Sequence, residues 1–102
     1  MTKKIYLICN ETTGRFKIGF SKNPLTRLKA LQTGNDNVIV LYYERSCKHY
    51  SKIEANLKKD YREFKTHGEW FDIPDISFHE IDTKVAKYEA IFESLKDNPF
   101  VK

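Results

Sequence analysis

The chain has 102 residues, 40% of them hydrophobic and 31% charged, with a formal charge of +4. This length buries roughly 60–70% of the unfolded surface in one core, which excludes two domains and any need for a metal or disulfide staple. With 14% aromatic residues, four Gly and three Pro, it is neither collagen-like nor disordered, and no apolar run approaches the ~18 residues of a membrane span.

In chain order, Ile5 to Cys9 and Phe16 to Phe20 read as two strands joined by the polar loop Glu11-Thr12-Thr13-Gly14. Pairing Asn10 with Arg15 sets Ile5 opposite Phe20, Leu7 opposite Ile18 and Cys9 opposite Phe16, giving one continuous apolar face. A slip of one residue would turn every side chain over. The same register puts Tyr6 and Lys17 on the other face as diagonal neighbours beside Gly19. A helix follows from Pro24 through Leu25, Leu28 and Leu31 to Gly34. Val38 to Tyr43 is a third strand. A second helix spans about 48–64, with Tyr50, Ile53, Leu57, Tyr61 and Phe64 as its apolar stripe. Glu69 to Ile73 is extended. A last amphipathic helix, about 77–97, closes the chain near Pro99. The predicted class is α+β: one domain over 1–102, with a small sheet, helices against it and an extra C-terminal helix.

Charge is uneven. Residues 1–66 hold fourteen Lys and Arg against six Asp and Glu, a local +8, while residues 67–102 carry −4. Such a basic body suits a polyanion, because each cation placed on a phosphate releases counterions; a solvated lysine-rich surface is the plain alternative. The acidic last helix, with Glu80, Asp82, Glu89 and Glu93, is either a packed cap with a wet outer face or a seat for a basic partner. Cys9 and Cys47 lack metal-ligand spacing and are expected to be reduced thiols of an intracellular protein, in cytoplasm or nucleus.

Four residues carry candidate chemistry. Glu54 falls roughly 60° from the centre of its helix's apolar stripe, where a lone carboxylate loses hydration. Either Lys58 at i+4 or a wet edge compensates it, or it holds a hard divalent ion, which takes one or two carboxylates, several waters and substrate phosphate. Arg27 lies at the border of the first helix's stripe. It either covers apolar surface with its stem or clamps a phosphate with its planar guanidinium. Tyr6 and Lys17 are ordinary strand residues singly. With Arg27 and Glu54 they complete the parts that phosphodiester hydrolysis requires: proton handling, phosphorane neutralisation and a Lewis acid at the leaving oxygen. His49, His67 and His79 have no spacing that makes a zinc or thiolate site.

These residues resemble the GIY-YIG nuclease superfamily, in the branch typified by the phage T5 Orf172 domain and the meiotically up-regulated 113 proteins. Lys4-Ile5-Tyr6 is similar to GIY, and Lys17-Ile18-Gly19 stands at YIG with lysine for tyrosine. Arg27 follows at the catalytic arginine. Leu31-Gln32-Thr33-Gly34-Asn35 is similar to the branch's LQTGN, Glu54 stands at the metal-binding glutamate, and Gly68-Glu69-Trp70-Phe71 resembles its closing GEWF. The resemblance covers residues 4–73. Leu31 stands where many members have histidine, and His67 or Glu69 where they have a late asparagine.

The resemblance implies a three-stranded antiparallel sheet flanked by helices and single-metal endonuclease cleavage of DNA, with a non-catalytic DNA-binding module as the alternative. Tyr6, helped by Lys17, would activate water. Arg27 would stabilise the phosphorane and Glu54 would hold Mg²⁺ or Mn²⁺. Arg15, Lys17, Lys22, Arg27 and Lys29 are the candidate DNA contacts. The expected partner is DNA, selected either by its shape, such as a branch or flap, or through a partner protein that supplies targeting. The chain is expected to be a monomer or weak homodimer of phage-like character, away from membranes. Trp70 and Phe71 are read as core anchors or base-stacking groups.

Overall fold

The computed structural model describes residues 1–96, so the end of the last helix at 97 and the close near Pro99 lie outside the described residues. In chain order the elements are β1 (Lys3–Asn10), β2 (Arg15–Ser21), α1 (Pro24–Thr33), β3 (Ile39–Cys47), α2 (Tyr50–Asp60), a 3-10 turn (Arg62–Phe64), β4 (Trp70–Phe71) and α3 (Phe78–Leu95). The strands form one antiparallel sheet ordered β3-β1-β2-β4. It is an α+β fold with three helices flanking the sheet. No helix among the described residues is long and apolar enough to cross a membrane.

The β1–β2 hairpin takes the predicted register, Asn10 opposite Arg15 and Tyr6 opposite Gly19. Its turn is closed by Asn10, whose Oδ1 accepts from the amides of Thr12 and Thr13 at 2.9 and 3.2 Å, and by Gly14 at φ 75°. A positive φ costs glycine nothing, and the Asx geometry supplies the bend.

Both faces of the sheet are covered. Ile5, Leu7, Phe16 and Ile18 pack with Ile53 and Leu57 of α2 and with Ile81 and Val85 of α3. Tyr6 and Ile8 pack on the opposite face with Ile39, Leu28, Leu31 and Trp70. This second core explains the four consecutive buried residues Ile5 to Leu7 and Ile8 in β1, which a two-faced strand needs. Leu25 is the weak point of the predicted α1 stripe, since it stays exposed.

α1 starts on Asn23, which accepts from the Thr26 amide, with Pro24 in the first turn. Its end is tied to β3 by one side chain. Gln32 donates through Nε2 to the carbonyls of Asn35 (3.1 Å) and Asn37 (2.8 Å) and accepts the Ile39 amide at Oε1 (3.0 Å). The glutamine of the LQTGN segment is therefore a splint.

Two boundaries and the number of strands, four where three were expected, differ from the sequence reading. β3 continues past Tyr43 to Cys47, because Glu44, Arg45 and Ser46 pair with β1 from an edge strand that leaves them exposed. Their polarity hid that extension. α2 stops at Asp60 and tightens into the 3-10 turn, as helix ends commonly do, where Tyr61 is buried and donates to Glu80 Oε2 at 2.8 Å. Trp70 and Phe71 form a fourth, short strand on Phe16 and Lys17.

Candidate functional site at the open edge of β2

β4 covers only the first part of β2. Beyond Lys17 the outer edge of β2, Ile18 to Ser21, meets no other strand among the described residues. An open cleft of about 300 Å³ lies along this edge. β1 brings Tyr6 to it, β2 brings Lys17 and Gly19, and α1 brings Arg27. α2 brings Glu54 and Lys58, and the segment before β4 brings Glu69. The cleft thus takes side chains from elements on both faces of the sheet, which meet where the sheet ends.

Tyr6 is 3% exposed, and its ring lies across its cross-strand partner Gly19. A Cβ on residue 19 would stand 2.5 Å from the ring's Cζ, closer than packed atoms approach. Glycine is required for this ring position. Burial raises the Tyr6 phenol above its ordinary value of 10. The Arg27 guanidinium opposes this, while Glu54 and Glu69 reinforce it. The free site therefore keeps the phenol protonated near neutral pH.

Lys17 is buried and donates to Glu69, forming an ion pair across the β2–β4 junction. This hydrogen bond is the main reason that the Glu69 carboxyl lies below the usual range. Glu54 is partly buried, with its Oε2 3.7 Å from Lys58 Nζ. The i+4 ion pair read from the sequence is present, and the same carboxylate faces the cleft. Arg27 is exposed on α1 and reaches the cleft from its rim.

Tyr6, Lys17, Arg27 and Glu54 therefore share one cleft. Arg15, Lys22 and Lys29 do not line it. The cleft is also lined by Ile18, Gly19, Phe20, Ser21, Lys58 and Glu69, which are not among the catalytic or DNA-contact candidates of the sequence. The register placed Gly19 beside Tyr6, and spacing placed Lys58 beside Glu54. Nothing local announces the Lys17–Glu69 pair, which joins residues far apart in sequence. Phe71 is 2% exposed in one core and Trp70 packs into the other, so both anchor the fold.

Among the described residues no group of three or more His, Cys, Asp or Glu gathers as a ready-made metal cage. The cleft instead holds two carboxylates, Glu54 and Glu69. One is committed to Lys17, and the other is held only loosely by Lys58. One available carboxylate beside room for a phosphate is the donor set that a Mg²⁺-like ion uses, because such ions keep waters and take substrate oxygens.

The family model described as the T5orf172 domain matches residues 3–89 of the chain. No curated protein and no solved structure matches it.

Proposed function

The chain belongs to the T5orf172 domain family, a nuclease-like or DNA-binding module, and from that premise we propose that it is a divalent-metal-dependent DNA endonuclease. The observation that carries this reading is the convergence of Tyr6, Lys17, Arg27 and Glu54, from four different elements, on one polar cleft. Hydrolysis adds a water oxygen to phosphorus and expels the 3′ oxygen, which leaves with a proton. Each residue has a position suited to part of that exchange.

Arg27, at the rim, offers a planar fork to two non-bridging oxygens and stabilises the charge that grows on them. The Tyr6 hydroxyl, fixed by packing on Gly19, orients the attacking water; it accepts the water's proton only once ionised. Lys17, neutralised by Glu69, supplies a fixed donor at the cleft floor. Glu54 is the residue that would hold Mg²⁺ or Mn²⁺, which when bound supplies Lewis acidity at the leaving oxygen.

A second reading, DNA binding without cleavage, has one observation in its favour. Both proton-handling candidates are restrained in the free protein, Tyr6 by burial and Lys17 by its carboxylate partner.

Nicking of supercoiled plasmid, with Mg²⁺ or Mn²⁺ and with EDTA, tests the proposal. The wild type should nick only with metal. Glu54→Ala should lose the activity by about 100-fold or more, a loss typical for removal of a transition-state stabiliser, with an unchanged melting temperature and weakened Mn²⁺ binding. Undiminished nicking by Glu54→Ala removes the metal role. Tight duplex binding without nicking by the wild type selects the second reading.

A further inference from the structure

The cleft shares a wall with a second groove. Lys58 and Glu69 line both, and the second groove, about 330 Å³ in volume, continues over Lys59, Arg62 and Lys65 with Phe71 beneath. Lys58 and Lys59 belong to the last turn of α2, Arg62 opens the 3-10 turn and Lys65 follows it. Lys58 is 3.7 Å from Glu54 and Glu69 is held by Lys17. Lys59, Arg62 and Lys65, all exposed, have no carboxylate partner among the described residues.

Acidic neighbours exist and are used elsewhere. Asp60, next to Lys59 in the chain, turns to α3, where it accepts from Tyr88 and pairs with Lys84 at 3.5 Å. Glu63, next to Arg62, does not line the groove. Lys48 and Arg45 are matched with Glu93 at 3.6 Å and Asp82 at 2.9 Å. The groove is thus a row of unmatched cations leading out of a cleft whose own residues suit a phosphate. Lys58 and Lys59 also favour the negative end of α2's dipole, but Arg62 and Lys65 lie past that helix and gain nothing from it.

We propose that this groove is the track of the DNA backbone on one side of the bond held in the cleft, with Lys59, Arg62 and Lys65 on successive phosphates. The proposal rests on the endonuclease or DNA-binding reading of the cleft and adds which way the strand leaves. It differs from the sequence expectation, which placed the flanking contacts on Arg15, Lys22 and Lys29.

The test is fluorescence anisotropy of a short labelled DNA duplex in EDTA, so that no strand is cut, across about 0.05–0.3 M salt. Three proteins are compared: wild type, the triple variant Lys59→Gln, Arg62→Gln, Lys65→Gln, and the charge-keeping variant Lys59→Arg, Arg62→Lys, Lys65→Arg. Each phosphate contact contributes about 0.9 to the slope of log K against log salt. The Gln variant should therefore bind about 100-fold more weakly near 0.1 M salt, with a slope shallower by about 2 to 3. The charge-keeping variant should stay close to wild type, and all three should melt at the same temperature. Equal slopes and affinities for wild type and the Gln variant overturn the track while leaving the cleft reading intact. Equal weakening in both variants overturns it as well, since charge then is not the cause. Displacement of the duplex by polyglutamate at equal charge concentration would reassign the groove to an acidic protein partner. Failure of the wild type to bind any duplex would sink this proposal and the cleft reading together.

Discussion

The α3 side of the molecule and the cleft side treat charge in opposite ways. Along α3, polar groups are closed into pairs. Tyr43 and Arg45 both donate to Asp82 at 2.9 Å, Tyr61 donates to Glu80, and His49 contacts Glu93 at 2.9 Å. Glu89 accepts the amides of Lys48 and His49 at 2.7 and 2.9 Å, which caps α2 with a carboxylate from another helix. At the cleft, Lys17 and Glu69 are closed into a pair in the same way, but Glu54 meets Lys58 only at 3.7 Å, and the adjoining groove leaves three cations bare. A paired charge holds structure, whereas a loosely held one keeps its capacity for a ligand. The acidic α3 is thus legible as a cap, since its carboxylates are already engaged with this chain's own residues.

The comparison breaks first, and hardest, in the core behind α3. Ile81 is fully buried between α3 and the sheet, so Ile81→Ala should cost about 2–5 kcal/mol in urea unfolding. DNA affinity per folded molecule should not change. A loss of affinity at full folding would show that α3 shapes the cleft as well as the core.

Gly19→Ala sharpens the comparison, because here a cleft residue carries a packing role. The added methyl would overlap the Tyr6 ring, and overpacking of this kind costs about 1–3 kcal/mol. Nicking should fall along with stability as the phenol is pushed from place. An unaffected melt would mean that the ring moves freely, and the argument for a fixed Tyr6 would fail.

The smallest effect is expected from single polar pairs on α3. Tyr43→Phe removes one hydrogen bond to Asp82 and should cost about 1 kcal/mol. pH reads the same set of pairs. Burial first, then the hydrogen bond to Asp82, raises the Tyr43 phenol; burial and Glu80 do the same for Tyr61, and the hydrogen bond to Asp60 pushes Tyr88 up to about 12. Raised phenols stabilise the fold fully below their unfolded value of about 10 and lose that contribution as pH climbs through the folded values. Asp82 is lowered by Arg45 and Tyr43, and Glu93 is lowered to about 2 by Lys96 and His49. Their contribution is present above about pH 4 and fades as pH falls toward 2. Melting temperature against pH should therefore be level in the middle and drop at both ends, with Tyr43→Phe flattening the alkaline limb. Nicking should instead climb toward alkaline pH without levelling before about 10, if ionised Tyr6 takes the water's proton.

Much of this was legible wherever the signal was local. The Asn10–Arg15 register followed from alternation, since only that pairing makes an apolar face. Glu54 stood out because a carboxylate interrupts a helical stripe, and Lys58 followed at i+4. What escaped depended on distant partners. The second core on Tyr6 and Ile8 needs α1 and Trp70 to come over the sheet. The Lys17–Glu69 pair needs β4 to dock on β2. The polar end of β3 has no hydrophobic pattern to betray it, and the break at Tyr61 is set by what α3 offers to that hydroxyl.

The half-covered margin of β2 carries a consequence for handling the protein. A bare strand border is a template on which a second copy can add itself, and proteins discourage this by placing cations beside it. Arg27 and Lys58 flank this border. Concentrated salt mutes their repulsion, so self-association through this border should increase when the purified chain is stored at high ionic strength without nucleic acid.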